Sequence, residues 1–299
     1  VSDTRIYFGT PGSLITLFHP RGGVQATRVR PVQEFALGNG ERRTRRAQFG
    51  SREYTLSWES LQYPDFATLQ AFDQGHNGPG PFVLLDPGQR NQLTVNQAAA
   101  TSELNATDNF TIAGSGSSIA SSTTLIERGP RALAWTFQFT SPSSGSIVLD
   151  SPYLGWFGIP VVSRPYVFNF LARGGGTDGI VTIRAEILWY GVTGTLLGTT
   201  SGSSAATSTG AWAAYLATAT PPASTAYAIC KVTYVSGASA GSIVYISSLQ
   251  FEEGSTAGTW RPGTGVRPVS IVSLEDRWPW LYADEIRSGP AMVLREDGR

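Results

Sequence analysis

Apolar and polar positions alternate through most of this chain, and in one stretch only do they fall at helical spacing. Tyr54, Leu56 and Trp58 alternate with Thr55, Ser57 and Glu59, the period of a half-buried strand. Pro64 follows, where a first helical turn tolerates a residue without an N–H, and Asp65 places a carboxylate in that turn. Phe66, Leu69 and Phe72 then share one face at three-residue spacing. Gly75 closes this helix, and Gly78-Pro79-Gly80-Pro81 forbids its continuation. Phe82-Val83-Leu84-Leu85 runs straight until Asp86-Pro87-Gly88 turns the chain. Residues 52–87 therefore predict strand, short helix, strand, and no other stretch predicts a helix.

Elsewhere the pattern is strand and turn. Residues 4–8 and 13–18 predict two strands around Gly9-Thr10-Pro11-Gly12. Residues 26–38 read as extended, with Pro31 marking an edge or a bend. Gly40-Glu41-Arg42-Arg43-Thr44-Arg45-Arg46 reads as an arginine-rich loop. From residue 91 the texture changes, and strands are expected at 109–112, 131–139, 146–149, 166–172, 180–190, 211–217, 226–235 and 242–251. Turn clusters separate them, the signature of an antiparallel β-sandwich. Residues 266–274 and 291–294 are closing strand candidates. Between them, Trp278-Pro279-Trp280-Leu281-Tyr282 reads either as a docking surface or as a plug on the sheet of residues 1–95.

Charge divides the chain. Residues 96–265 carry 15 charged side chains in 170 positions, against 29 in the 129 flanking positions. A neutral insert rich in Ser, Thr, Gly and Ala thus splits one charged domain, giving 1–95, 96–265 and 266–299 as the expected organisation. The 299 residues have room for two domains, each with its own core. The formal net charge is zero, so no global field favours nucleic acid or an anionic membrane. Of the 22 basic residues all but Lys231 are arginine, which fits coding bias in a GC-rich genome. The single cysteine, Cys230, excludes an internal disulfide framework and is expected to be a buried, inert thiol. No apolar run reaches the roughly 18 residues of a membrane span, and the chain opens without a positively charged apolar leader.

The motifs that carry chemistry are few. His19 and His76 are the only histidines, and neither has Cys or carboxylate partners at ligand spacing. Gly174-Gly175-Gly176-Thr177-Asp178-Gly179 matches GxGxxG, yet it leads into a strand, so phosphate-binding geometry is not expected. The sequons at Asn105 and Asn109 are expected to be coincidental in a Thr-rich segment. Arg42, Arg43, Arg45 and Arg46 read as a nucleic-acid patch, a solvated loop or a subunit interface. The adjacent acids Glu252 and Glu253 lie on a predicted strand, so their side chains point to opposite faces, whereas glycosidases need two carboxylates facing across a cleft. No catalytic function is expected, and no cofactor. A structural Ca2+ on oxygen ligands is compatible with a sandwich, although no site stands out.

Two stretches resemble known families. Residues 246–262, with Leu249, Gln250, Glu252, Glu253, Gly254 and Trp260, are similar to the closing strand of carbohydrate-binding-module-like jelly rolls. The arrangement of 1–93 and 267–299 resembles the split tail-tube-like domain of distal tail proteins of long-tailed, siphovirus-like phages. The second resemblance implies a mainly β protein: a tail-tube-like β-sandwich or barrel domain with one short helix, split by an inserted jelly roll. It also implies a hexameric ring in the virion tail tip, linking the tail tube protein to the baseplate hub and tape measure proteins. Arg42, Arg43, Arg45 and Arg46, with Trp278 and Trp280, are then the expected subunit-interface residues.

The first resemblance implies a sugar-binding sandwich contacting host glycans. Sugar rings stack on exposed aromatic faces, so Trp156, Trp189, Tyr190, Trp212 and Tyr215 are the candidate contacts. Burial of the aromatics on alternating strands is the competing outcome. A structural tail-tip protein and a non-catalytic carbohydrate-binding module are therefore both carried forward.

Overall fold

A computed structural model describes residues 5–297, apart from 21, 30–31, 37–41, 47–50, 87–90, 101–108, 115, 139–143, 152–154, 176–179, 264–265, 267, 276–279 and 283–284. The side chains of 29, 32–36, 43–46, 280–282 and 285–288 lie outside that description. The fold is mainly β, and its strands gather into sheets with antiparallel pairing. The chain divides into two compact units, one of Val1–Thr10, Leu14–Asp86 and Arg267–Arg299, the other of Pro11–Ser13 and Pro87–Val266.

In the first unit seven strands form one sheet in the order Ser13–Phe18, Arg5–Thr10, Phe82–Leu85, Pro268–Leu274, Ala291–Glu296, Ser51–Ser57 and Gln25–Val29. Leu294 sits opposite Tyr54 and Met292 opposite Leu56, so the end of the chain completes a sheet begun near its start. The helix Tyr63–Asp73 forms where the pattern places it, with Pro64 and Asp65 in its first turn and Phe66, Leu69 and Phe72 buried. An eleven-residue helix is marginal alone. These three side chains stabilise it by packing on Ile6, Phe8, Leu56, Phe82 and Leu294, at roughly 1.5–3 kcal/mol for each fully buried large apolar side chain. Phe8, Phe72 and Phe82 meet with ring centroids 5.2 to 5.5 Å apart.

A buried carboxylate closes this sheet. Glu296 accepts from the Tyr54 hydroxyl at 2.9 Å and from the Arg52 backbone N–H at 2.9 Å. Burial, then the neighbouring negative charge, pushes the Tyr54 pKa up to about 12.

The arginine-rich stretch is not a loop. Arg42–Arg46 is a strand paired antiparallel with Val32–Ala36, Phe35 lying opposite Arg43. The β-capable run VQEFA supplies the ladder that satisfies its backbone. Among the described residues this hairpin joins no other sheet.

The second unit is a β-sandwich. Five strands run in the order Ser117–Ser122, Ala132–Phe137, Ile243–Glu253, Tyr166–Gly175 and Ala213–Ala219. The other sheet follows the order Leu196–Ser201, Thr182–Tyr190, Tyr227–Ser236, Ser146–Leu149 and Phe110–Ala113. The core holds Trp135, Phe137, Phe168, Phe170 and Phe251 from the five-stranded sheet and Ile183, Ile187, Trp189 and Val232 from its partner, all fully or almost fully buried.

A second helix, unexpected from periodicity, is the single turn Val95–Ala98. It is set by chemistry at its start: the Thr94 hydroxyl accepts the Gln97 N–H at 3.1 Å, and the Gln97 carbonyl oxygen accepts the Thr94 N–H at 3.2 Å. This reciprocal capping satisfies two otherwise unpaired donors.

Candidate functional site

The site is built on the outward face of the five-stranded sheet, and a bulge in the strand Ile243–Glu253 divides it into two halves. Along that strand Val244, Ile246, Leu249 and Phe251 are buried. A bulge opposite Asn169–Leu171, with Ser248 at φ 58°, keeps apolar side chains inward on both sides of the irregularity. Outward-facing residues are then Ile243 and Tyr245 on one side of the bulge, and Gln250 and Glu252 on the other.

The Gln250–Glu252 half is covered. Gln250 is fully buried and Glu252 is 2% exposed. The Gln250 amide donates to Glu252 Oε1 at 2.7 Å and its oxygen accepts the Arg261 N–H at 3.0 Å, while Glu252 Oε1 also accepts the Gly258 N–H. Asn91 ties the same edge from the other direction. Its Nδ2 donates to the carbonyls of Leu249 and Arg261, and its Oδ1 accepts the N–H groups of Phe251 and Leu93. The Trp260 indole N–H reaches the Leu249 carbonyl. The Leu-Gln-x-Glu-Glu-Gly run is thus a device for folding the segments around 91–100 and 254–261 onto the sheet. Glu252 is buried beneath these segments, its Oε1 accepting both bonds.

The other half is open. Arg173, Tyr245, Ala134 and Ala120 form one cross-strand row; Gly175, Ile243, Thr136 and Ser118 form the next. None of their side chains on this face is buried. Gly175 determines how Tyr245 lies. A Cβ at that position would collide with the Tyr245 ring at Cε2 and Cδ2, so the edge of the ring occupies the space that a side chain at residue 175 would need. It is half-buried. Small side chains at Ala134 and Ala120 leave the floor beside it low. Arg173 borders the ring and donates from Nε to the Thr209 carbonyl at 3.0 Å.

The five aromatic residues singled out by sequence do not assemble into a platform. Trp189 is 1% exposed, donating its indole N–H to the Thr200 hydroxyl at 2.9 Å, and Tyr215 is 2% exposed, stacked on Phe170 at 5.3 Å and 7°. Both fill the core, so neither can stack on a ligand. Tyr190 is half-buried opposite Tyr227 on the other sheet. Trp156 is half-buried in the turn before Ile159–Pro160, which also joins the other sheet. Trp212 alone lies by the open face, half-buried just before Ala213, whose strand partner is Ala172. Of the interface candidates Arg42 is exposed. The side chains of Arg43, Arg45, Arg46 and Trp280, and all of Trp278, lie outside the described residues.

The remaining reactive groups are engaged structurally. Glu186, 3% exposed, accepts from Arg184 at 2.6 Å, Lys231 at 2.9 Å, Thr233 at 2.7 Å and Ser201 at 3.2 Å. Burial alone would raise its pKa, but the hydrogen bonds from Lys231, Thr233 and Arg184 outweigh it and hold the carboxyl below its usual range. Cys230 is fully buried and its thiol is pushed well up by that burial. Among the described residues no group of three or more His, Cys, Asp or Glu side chains is arranged to hold a metal ion.

No protein-family model matches the chain, and no curated protein matches it in sequence. Among solved structures it is similar to the CBM22-1 xylan-binding domain of Paenibacillus barcinonensis Xyn10C, at 8% identity and TM-score 0.40, over 52% of this chain and 92% of that one. It is likewise similar to carbohydrate-binding modules of the β-sandwich superfamily, at 12% identity and TM-score 0.40, over 84% of this chain and 98% of that one. A third similarity is to the enzymatically active domain of tailspike protein 4 of bacteriophage CBA120, at 13% identity and TM-score 0.38, over 56% of this chain and 22% of that one. At such similarities the site rests on its own geometry.

Tyr245 and Arg173 went unnoticed in the sequence. The signal was the alternation of residues 242–251, which puts Tyr245 on the face opposite Val244 and Ile246. What makes room for its ring is Gly175, a diagonal neighbour brought there only by the register of two strands.

Proposed function

We propose that the second unit is a non-catalytic carbohydrate-binding module that takes a saccharide on the open half of its five-stranded sheet. The observation carrying this reading is the half-buried Tyr245 ring on the open half of the sheet, its edge in the space left by Gly175, an aromatic group on which a sugar ring could stack. A stacked aromatic contributes apolar contact at low conformational cost, and Arg173, Thr136 and Ser118 border the floor with hydrogen-bonding groups for hydroxyls. The carboxylates fit a binding role better than catalysis, since Glu186 is held by four donors and Glu252 by two. A glycan array probed with the full chain and with Tyr245→Ala tests this. Binding that falls at least about tenfold in the variant supports it, tenfold being about 1.4 kcal/mol. An array without a hit rejects it.

A second reading has its own support: a structural subunit of a phage tail tip, of the distal tail protein type, ring-forming through its first unit. The hairpin of Val32–Ala36 and Arg42–Arg46 pairs with no further strand among the described residues, and an isolated two-stranded hairpin is marginal in water. A neighbouring subunit would supply the missing packing, with the arginines pairing bidentately to its carboxylates. The carbohydrate module would then project host recognition from the ring. Light scattering and negative-stain microscopy of the full chain should show rings. Reversing Arg42, Arg43, Arg45 and Arg46 to Glu should abolish them; rings that persist exclude the hairpin as the contact.

A further inference from the structure

The open face is as uneven in charge as in shape. Its floor is Ala, Ser, Thr, Ile and Tyr, and among the described residues Arg173 is the one charged side chain on it. Arg173 stands directly opposite Tyr245 across the strand pair, where side chains on the same face come within contact. Its Nε bond to the Thr209 carbonyl fixes the plane of the guanidinium and leaves the two Nη groups for another acceptor. No carboxylate among the described residues pairs with it. The contrast within the same unit is Glu186, which already occupies Arg184 and Lys231.

We infer that the open face selects an acidic glycan, one carrying a carboxylate or sulfate group, with Arg173 binding the anionic group and Tyr245 the sugar ring beside it. The inference rests on the carbohydrate reading and adds the ligand class. A guanidinium held by one nitrogen presents its remaining donors in a fixed fork, the geometry that matches a two-oxygen anion. Neutral sugars would use the ring and the hydroxyl-bearing floor but leave the cation without a counter-charge.

The test uses the full chain on matched surfaces: polygalacturonate against its methyl ester, and chondroitin sulfate against its desulfated form, in near-physiological salt. The acidic member of a pair should bind about tenfold tighter, the scale of one charged hydrogen-bonded contact. Arg173→Gln should reduce the acidic ligand to the affinity of the neutral one, and Arg173→Lys should restore part of the difference. Tyr245→Ala should weaken both members equally. Arg131→Gln, an exposed arginine at the covered end of the sheet, should change nothing, which separates a built contact from diffuse attraction.

Equal affinity for both members of each pair overturns the inference while sustaining the carbohydrate reading. An acidic preference that survives Arg173→Gln also overturns it. Absence of binding to every surface rejects the carbohydrate reading and the inference with it. Thermal unfolding of each variant, expected to match the parent, shows that the fold is retained.

Discussion

Replacing Asn91 by Ala should loosen the sandwich at the edge beside the bulge. The Asn91 side chain is 1% exposed and makes four hydrogen bonds to backbone groups, at 2.9 to 3.2 Å. Alanine removes all four and leaves the N–H groups of Phe251 and Leu93 and the carbonyls of Leu249 and Arg261 to find new partners beneath a covering segment. At about 1 kcal/mol per neutral hydrogen bond, with partial rescue by water, the loss is about 3–4 kcal/mol. For a unit of this size that lowers the melting temperature by roughly 8–12 °C. Asn91→Asp should be worse, because its second oxygen would face two carbonyls. Urea unfolding of the full chain, followed by tryptophan fluorescence, measures the loss, and hydrogen exchange at Phe251 and Leu93 localises it. A change under about 1 kcal/mol with unchanged exchange at both amides would refute the reasoning, since Asn91 would then not hold that edge.

Three further outcomes follow from buried polar groups. Glu186 has its carboxyl pKa held below its unfolded value, so its contribution is present above the unfolded pKa and is lost as pH falls through the folded one. Glu186→Gln should therefore destabilise the chain near neutrality by about 1–3 kcal/mol and flatten the acid limb of its stability profile; an unchanged limb would contradict this. Tyr54, raised to about 12 by burial and Glu296, stabilises the fold fully below the unfolded pKa near 10, and that contribution fades between about pH 10 and 12. Ultraviolet titration should show Tyr54 among the late-ionising tyrosines, with Tyr215 and Tyr227, which burial also raises, and Glu296→Gln should bring Tyr54 down. Cys230, buried with its thiol pushed up, should react with a thiol reagent only as fast as the unit opens, so its labelling rate in rising urea should follow unfolding.

Where the hydrophobic period was unambiguous, sequence and structure agree. Phe66, Leu69 and Phe72 line one face of a helix and reach the core, and the alternation through residues 226–235 and 242–251 runs as the two strands Tyr227–Ser236 and Ile243–Glu253. The single turn at Val95–Ala98 escaped because four residues carry no period, although Thr94 and Gln97 stood at the spacing of a reciprocal cap. The arginine stretch reads as a loop from its charge, yet a strand partner fourteen residues or fewer away gives it a ladder. Two of the aromatic candidates, Trp189 and Tyr215, lie in the core for a different reason. Alternation tells that Trp189 and Tyr215 share a face with their neighbours at two-residue spacing, not which face is inside. Both sheets bury aromatics on one face and carry them on the other, so only pairing across the sandwich decides. Gln250 and Glu252 look solvent-facing by the same alternation, and they are buried because distant segments fold over them.

The most direct test of the carbohydrate reading is nuclear magnetic resonance of the labelled full chain titrated with an oligosaccharide that it binds. Amide shifts should concentrate at residues 118–120, 134–136, 171–175 and 243–245, with the Tyr245 ring protons moving upfield or downfield as the sugar stacks. Shifts centred instead on the other sheet, around 184–190 and 227–233, would contradict the assignment of the open face as the binding site.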